Sequence, residues 1–312
     1  MYAVRDDAEA YEIVCPAPVD GSTPEVRQEW LRHRLTGIGA SDVPAILGLD
    51  KYRGPLDVWA EKTGALKDED HDSEAAFWGR RLEKDVIEVT AQRRGMDFQR
   101  GEHLLRSRRW PWMLATPDAY LGTRCIPLQA KTVSLRFEKE WAEGAPAKHI
   151  VQNTAEMLVY GTEDEGCVSG LIGGQQLVWD PVKYDAQLAA QIVAATGAMW
   201  DLIQAKTPPN GFSARLDSVK AVWPSASEGL IINLPPTADA LVMEWLQAKE
   251  QETEGKKEAK RLEAEIRALM KDAEFGRLHG GGILSLKLTT QHVAAQPART
   301  SEFRTLRYKA EK

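Results

Sequence analysis

The chain has 312 residues, of which 43% are hydrophobic and 28% are charged, and its formal net charge at pH 7 is -6. This length and apolar content predict one large domain, or a medium domain with an appendage, and exclude a disordered chain. No run of about 18 apolar residues is present, and acids interrupt the first residues, so we expect a cytoplasmic protein without a membrane segment.

The first quarter of the chain is predicted to be an arm followed by helices. Residues 1–25, which include CPAPVDGSTPE, predict an irregular N-terminal arm. STPEVRQEWLRHRL has a Ser/Thr cap, a proline in the first turn and helical spacing, and predicts a helix. In TGIGASDVPAILGL, the glycines at 37 and 39 predict a flexible turn, and Ser41-Asp42 is placed to cap a second, short helix. GPLDVWAEKTG predicts a further helix.

An amphipathic helix is predicted for DSEAAFWGRRLEKDVIEVTAQRRG. Glu83 follows Gly79 by four residues and precedes Val86 by three, which puts its side chain on the inward face. A carboxylate on that face is costly unless it is paired, hydrogen-bonded or bound to a metal. A salt bridge to a neighbouring arginine and a role in a metal site are the two interpretations.

An arginine-rich stretch, QRRGMDFQRGEHLLRSRRW, overlaps the end of this helix and has six arginines against two acids. The net charge argues against an indiscriminate nucleic-acid binder, although the sum hides this local basic bias. Composition alone favours a solvated helix end and loop.

Strands and helices then alternate irregularly. WMLATPD, DAYLG and IPLQAKT predict short strands, with a turn at residues 122–124 between the last two. EKEWAEGAPAKHIVQNTAEMLVYG predicts a helix, CVSGLIGGQQLVWDPV a hairpin, and YDAQLAAQIVAATGAMWDLIQAK a long helix. An α+β or mixed α/β fold fits this order.

The predicted domain organisation has four parts. They are an N-terminal arm (1–25), a core (26–215), a proline-rich linker (216–236) and a C-terminal helical arm with short strands (237–312). The strands are predicted in GGGILSLKLTT and FRTLRYKAE. The first half of the arm has few apolar residues, so we expect it to dock on the core or on a partner.

One hairpin has the residue types of a phosphodiesterase site. Residues two apart in a strand point the same way, so Gln129 and Lys131 share one face, and the turn folds Asp118 back beside them. Phosphodiester cleavage requires oxygen ligands for one or two Mg²⁺ ions and a cation that orients water or offsets developing charge. Many hairpins would match this short pattern by chance.

Several further segments occur in the order and spacing of a known family. These are RLTGIGASDVPAILGLDKYRGPLDVWAEKTG, FWGRRLEKDVIEV, ATPDAYLG, LQAKT, IVQNTAEMLVYG and GLIGGQQLVW. Over residues 30–205 the chain resembles the YqaJ-like viral recombinases, phage exonucleases of the lambda-exonuclease type in the PD-(D/E)XK nuclease superfamily. The resemblance implies a restriction-endonuclease-like core, in which helices flank a central mixed sheet, and leaves the C-terminal helical and β appendage outside it.

The resemblance also implies an activity and its partners. The activity is Mg²⁺-dependent 5′ to 3′ degradation of one strand of linear double-stranded DNA, with Mn²⁺ expected to substitute. The 3′ overhangs would serve a single-strand annealing protein in phage homologous recombination. A homo-oligomer, with a trimer suspected, would act in the bacterial cytoplasm as a phage- or prophage-encoded protein.

Individual roles follow from matched positions. The resemblance assigns metal ligation to Glu83, Asp118, Gln129 and the carbonyl of Ala130. Lys131 matches the water-orienting lysine, and Gln152 matches a glutamine near the catalytic site. Arg34 and Ser41, seven residues apart, match the pair that holds the terminal 5′ phosphate, a task suited to a guanidinium beside a helix N-terminus.

Gln129 departs from the family pattern, which has glutamate there. The change keeps the side-chain shape and one carbonyl oxygen but removes a negative charge, so divalent-cation affinity should fall. Three accounts are open: an engineered substitution, a natural variant that still works, and a natural loss of catalysis.

Two other functions remain as alternatives. One is a catalytically inactive DNA-end-binding or recombination-accessory protein that keeps the nuclease fold. The other is the Cas4 or RecB-type branch, which commonly carries an iron-sulfur cluster. Cys15, Cys125 and Cys167 are too few and too widely spaced to build such a cluster in one chain.

Overall fold

A computed structural model describes residues 10–19, 21–66, 73–210, 215–228, 231–280 and 282–288. The chain divides into two compact units, one up to Trp223 and one from Pro224. None of the helices in these ranges combines the length and apolar character needed to span a lipid bilayer.

The first unit contains most of the regular structure. Its helices are α1 (Pro24–Arg34), α2 (Val43–Ile46), α3 (Pro55–Lys62), α4 (Glu74–Arg94), α5 (Ala147–Tyr160), α6 (Ala186–Gln204) and α7 (Leu216–Val222). Its strands are β1 (Tyr11–Pro16), β2 (Ile38–Gly39), β3 (Phe98–Arg100), β4 (His103–Ser107), β5 (Met113–Ala115), β6 (Ala119–Leu121), β7 (Ile126–Val133), β8 (Glu165–Ile172) and β9 (Gln176–Lys183). Short 3-10 segments occur at Ala40–Asp42 and Leu135–Trp141.

Two sheets hold this unit together. The larger has the order β3-β6-β7-β8-β9, in which β7 and β8 are parallel and the other pairs antiparallel. The smaller has the order β1-β4-β5-β2, with β2 parallel to β5. Helix α4 packs on the larger sheet, whereas α5 contacts strands of both. The predicted mixed sheet flanked by helices is confirmed, and the second sheet was not foreseen.

Helix α5 carries the core between the sheets. Nine of its 14 residues are buried, among them Val151, Ala155 and Leu158, which join the apolar cluster around Met113. A helix that is apolar nearly all round is stable only when it is enclosed. This enclosure puts the polar side chains of α5 in the interior as well.

The prediction of an irregular arm is wrong for Tyr11–Pro16. These residues form β1, which pairs antiparallel with β4. Tyr11 stacks on Tyr160 with ring centroids 5.4 Å apart, and Cys15 packs against Leu104. The nearby proline and glycine residues suggested irregular structure, whereas pairing with β4, which is distant in sequence, stabilises a strand. Residues 1–9 lie outside the described residues.

The predicted flexible turn at Gly37 and Gly39 is wrong for Gly39. Ile38–Gly39 forms β2 beside β5, and a Cβ on Gly37 would lie 2.8 Å from the carbonyl oxygen of Trp112. Gly37 therefore allows the close approach of two backbones. Asp42 does not cap the following helix, because its Oδ2 accepts the Gly39 N–H at 2.9 Å.

The arginine-rich stretch contains two strands and is not only a solvated helix end and loop. Only its first residues end α4, and the rest includes β3 and β4. Its arginines are held by the fold: Arg94 pairs with Glu165 at 2.6 Å, and Arg106 donates to the Pro111 carbonyl at 2.7 Å. Local basic charge in the sequence thus does not amount to a free basic surface.

Helix α7 lies inside the range predicted to be a linker. Ser218 is fully buried, and Val219 and Val222 pack against the cluster of α3 that contains Trp59. The predicted domain boundaries stay a prediction.

The second unit consists of α8 (Thr237–Met270) and a small antiparallel pair, β10 (Phe275–Arg277) and β11 (Ile283–Ser285). Within the described residues α8 has no buried side chain. The predicted docking of this arm stays a prediction, and the strand predicted in FRTLRYKAE lies outside the described residues.

Candidate active site

Helix α4 presents Glu83 beside the larger sheet. Ser73 accepts the Ala76 N–H at the start of the helix, and Gly95 ends it in the left-handed conformation. Val86 and Ile87 pack in the same apolar cluster as strand β7. Glu83 lies one turn earlier on this face, and its side chain is 29% exposed.

Asp118 is held where β6 begins. Its N–H donates to the Leu128 carbonyl at 3.1 Å, and its Oδ2 accepts the Ala130 N–H at 2.7 Å. The hairpin of β6 and β7 thus folds Asp118 back against β7. The hydrogen bond fixes one carboxylate oxygen, so the other oxygen is the one available to a ligand.

Alternation along β7 separates its side chains between two helices. Leu128 and Ala130 pack in the α4 cluster, so Gln129 and Lys131 point to the opposite face. Gln129 is fully buried, and its Nε2 lies 3.4 Å from Oε1 of Glu156 on α5. Its Oε1 is buried and has no hydrogen-bond partner among the described residues.

One cavity of about 260 Å³ joins the predicted phosphate site to the predicted catalytic acids. Its lining includes Arg34, Ser41, Glu83, Asp118, Gln152 and Glu156. Five of the eight residues named from the sequence therefore share this cavity. Gln129, Ala130 and Lys131 are absent from its lining, although Ala130 contacts Asp118 and Gln129 contacts Glu156.

The three acids of the cavity interact electrostatically. Burial and the neighbouring Asp118 raise the pKa of Glu83 to about 7, against the opposing effect of Arg100, which donates to it at 2.7 Å. Burial and Asp118 likewise raise the pKa of Glu156 to about 8. Burial raises the pKa of Asp118 itself, although Lys131 opposes the shift. Crowded, poorly solvated carboxylates are stabilised by a bound cation.

A buried cluster of charged side chains lies next to Arg34 and Ser41, the predicted phosphate-binding residues. Arg34 Nη2 donates to Ser41 Oγ at 2.9 Å, and Asp42 is fully buried between Lys62 at 2.9 Å and Arg53 at 3.0 Å. Burial alone would raise the pKa of Asp42, but the adjacent Lys62, Arg34 and Arg53 hold it well below its ordinary value. The cluster keeps Arg34 and the Gly39–Ser41 backbone in place.

Sequence reasoning missed Glu156 and Arg100. Glu156 follows Gln152 by four residues on α5, among buried neighbours such as Ala155 and Met157. The argument that singled out Glu83, an acid on an apolar helix face, applies equally to Glu156 and could have found it. No comparable signal in the sequence indicated Arg100, because it lies on β3 and reaches Glu83 on helix α4.

The donor types fit a divalent cation. Asp118 and Glu83 are carboxylates, and the buried Oε1 of Gln129 lacks a partner among the described residues. Hard cations prefer such oxygen ligands. In the described part of the chain, no three acidic, histidine or cysteine side chains already stand in a metal-binding group, so the site remains a proposal.

The stability of the metal-free protein is expected to fall as the pH rises from about 6.5 to about 8. The ordinary pKa of glutamate is 4.5, whereas Glu83 and Glu156 keep their protons in the folded state up to pKa values of about 7 and about 8. The folded state therefore binds more protons in this window, and the unfolding free energy decreases by an amount on the order of 2 kcal/mol.

Urea unfolding across this range checks the prediction. His149 does not interfere, because burial lowers its pKa to about 3 and its ordinary value is 6.5. Glu156→Gln should reduce the decline, and an equally steep decline in that variant would contradict the assignment.

Comparisons with known proteins agree with this fold. The chain is similar in fold to a solved alkaline exonuclease, LHK-Exo, from Laribacter hongkongensis, with a TM-score of 0.50 and 19% identity. That alignment covers 57% of this chain and 93% of the other. This likeness, at such low identity, concerns the fold.

The family follows from sequence similarity. Residues 29–163 match the YqaJ-like viral recombinase domain. The chain is also 33% identical over 255 residues to the uncharacterized protein YqaJ of Bacillus subtilis (strain 168). This alignment covers 80% of each chain. The chain belongs to the YqaJ-like viral recombinase family, and the resemblance read from its motifs is confirmed.

Proposed function

We propose that this chain is a Mg²⁺-dependent 5′ to 3′ exonuclease that degrades one strand of linear double-stranded DNA. One observation carries the proposal. A single cavity contains an arginine and a serine suited to a terminal phosphate, together with acids suited to a divalent cation. The fold similarity to an alkaline exonuclease supports the same class of reaction.

Each residue has a proposed role. Arg34 and Ser41 bind the terminal 5′ phosphate, and Asp42 positions Arg34. Glu83 and Asp118 hold the cation, with the Ala130 carbonyl and the Gln129 amide oxygen as further candidates. Mg²⁺ would activate water and offset the charge that develops on the phosphate.

Lys131 orients the attacking water. Its ammonium is near enough to lower the pKa values of Glu83, Asp118 and Glu156, which are otherwise raised by burial. Gln152 donates to Glu156 Oε1 at 3.1 Å and so orders that side of the cavity.

The proposed context is phage recombination. The 3′ single-stranded product would pass to a single-strand annealing protein, and a homo-oligomeric ring, with three subunits suspected, would keep the enzyme on one DNA molecule. Light scattering tests the oligomer directly, and a stable monomer would contradict it.

Release of acid-soluble nucleotides from linear duplex DNA tests the function. We expect the chain to release nucleotides from the 5′ end with Mg²⁺ or Mn²⁺ and to release none with EDTA. Gln129→Glu should be measured beside it. Activity only in Gln129→Glu would identify a disarmed nuclease, and activity in neither protein would rule out the exonuclease.

The glutamine at position 129 favours a second candidate function. A catalytically silent protein of this fold could still bind DNA ends, because Arg34 and Ser41 are retained. Such a protein would retain 5′-phosphorylated duplex ends in a binding assay without shortening them, with or without Mg²⁺.

Arg34→Ala is expected to remove the preference for a 5′-phosphorylated end. A charge-assisted hydrogen bond contributes roughly 1.5–3 kcal/mol, which corresponds to a loss of about tenfold to a hundredfold on phosphorylated ends. Duplexes that end in 5′ phosphate and 5′ hydroxyl should be compared. Lys84→Ala, on the exposed side of α4, is the control. An unchanged preference in Arg34→Ala would remove Arg34 from the phosphate site.

A further inference from the structure

Glu156 is an acid in the interior of the first unit whose described hydrogen bonds come from amides. It is 2% exposed, and within the described residues no lysine, arginine or histidine forms an ion pair with it. A buried carboxylate of this kind costs folding free energy unless something compensates its charge.

The surroundings of Glu156 are built from amides. Gln152 donates to Oε1 at 3.1 Å, Asn153 donates to Oε2 at 3.1 Å, and Gln129 Nε2 approaches Oε1 at 3.4 Å. Asn153 also donates to the Pro127 carbonyl, at 3.2 Å, which ties the helix to β7. These neutral donors hold the carboxyl group at the lining of the cavity shared with Asp118 and supply no positive charge.

Gln129 and Glu156 form a complementary pair across β7 and α5. One of the two side chains is an acid and the other its amide, and they are in contact. An exchange of the two would keep both shapes and the total charge. Position 129 on β7, where the family pattern has glutamate, therefore directly faces Glu156 on α5.

We propose that Glu156 provides the third carboxylate of the divalent-cation site, in place of an acid at position 129. The inference rests on the proposed function, because it assigns a residue to the same cation site. Gln129 then serves as the amide that orients Glu156. The unpaired Gln129 Oε1, buried beside this carboxylate, is a further oxygen for the cation or its water.

This assignment reverses the expectation for Gln129→Glu. If position 129 were merely disarmed, an added carboxylate would restore function. If Glu156 already supplies the charge, a second buried carboxylate about 3.4 Å away is repulsive. Gln129→Glu alone should then lower stability without raising cation affinity.

Mn²⁺ binding without DNA, followed by electron paramagnetic resonance, tests the inference. Glu156→Gln is expected to weaken Mn²⁺ binding by at least about tenfold. The exchanged double variant, Gln129→Glu with Glu156→Gln, should recover most of the lost affinity, because the carboxylate count is restored. Thermal unfolding of each variant confirms that the proteins are folded.

Glu165→Gln is the matched control. Glu165 is a partly buried acid, its substitution removes an ion pair with Arg94, and it lies outside the cavity lining. Its Mn²⁺ affinity should equal that of the unaltered chain. Unchanged Mn²⁺ affinity in Glu156→Gln would overturn the inference, as would an unaltered chain that binds no Mn²⁺.

The failure of the inference is distinguishable from failure of the proposed function. Nuclease activity that persists in Glu156→Gln, with unchanged Mn²⁺ binding, would overturn only the role of Glu156. Mn²⁺ binding that depends on Glu156, in a chain that never cleaves DNA, would uphold the inference and overturn the exonuclease.

Discussion

Asp118→Asn is expected to lower metal-dependent DNA hydrolysis by at least about a hundredfold while the fold is retained. The asparagine oxygen can still accept the Ala130 N–H, so the hairpin contact survives. What is lost is the negative charge nearest to Glu83 and Glu156, which both have pKa values raised partly by Asp118. The cation site therefore loses the Asp118 carboxylate, whose charge acts on both Glu83 and Glu156.

The same substitution should stabilise the metal-free protein. Removal of the Asp118 charge relieves repulsion in a buried group of acids, so the unfolding free energy should rise as hydrolysis falls. Nuclease assays and urea unfolding of one preparation measure both effects. Asp85→Asn, on the exposed side of α4, should change neither. Full hydrolysis by Asp118→Asn would exclude Asp118 from the catalytic site.

Asp42→Ala is expected to cost about 3–5 kcal/mol of stability. The substitution leaves Lys62, whose side chain is 4% exposed, and Arg53 buried without their shared anion. A domain of this kind is stable by only about 5–15 kcal/mol, so this loss is a large fraction of the total stability. Chemical denaturation measures the loss.

Two further variants serve as the control and the rescue for Asp42→Ala. Asp217→Ala breaks an exposed pair with Lys220 and should cost less than about 1 kcal/mol. Asp42→Asn combined with Lys62→Met removes both charges and should recover much of the stability lost in Asp42→Ala. An Asp42→Ala protein as stable as the unaltered chain would show that the cluster is not a stabilising element. Arg34 should also lose its fixed position, with a weaker preference for phosphorylated ends.

Local pattern was sufficient where neighbours in sequence decide the structure. Helix α4 has its serine cap, its apolar stripe and its terminal glycine within one segment, and the glycine pair between β8 and β9 defines their hairpin. Glu83 was found in the same way, because its inward direction follows from helix geometry alone. The motif resemblance added the family, and the comparisons confirm it.

Local sequence patterns could not predict the contacts between segments that are distant in sequence. β1 exists because β4 supplies the hydrogen-bond partners for a segment rich in proline and glycine. Gly37 and Gly39 looked like a flexible turn, yet Gly39 pairs with β5 as part of a sheet. The arginines after α4 suggested a solvated loop, whereas partners such as Glu165 and Glu83 come from other elements.

The sequence by itself determined the periodic elements, the family and most of the polar residues of the candidate site, since spacing and residue type are local properties. Only the tertiary structure decided which of those residues share a cavity and which side chain Gln129 contacts. A side chain acquires its charge environment from elements that are distant in sequence, and the contact between Gln129 and Glu156 joins residues 27 positions apart.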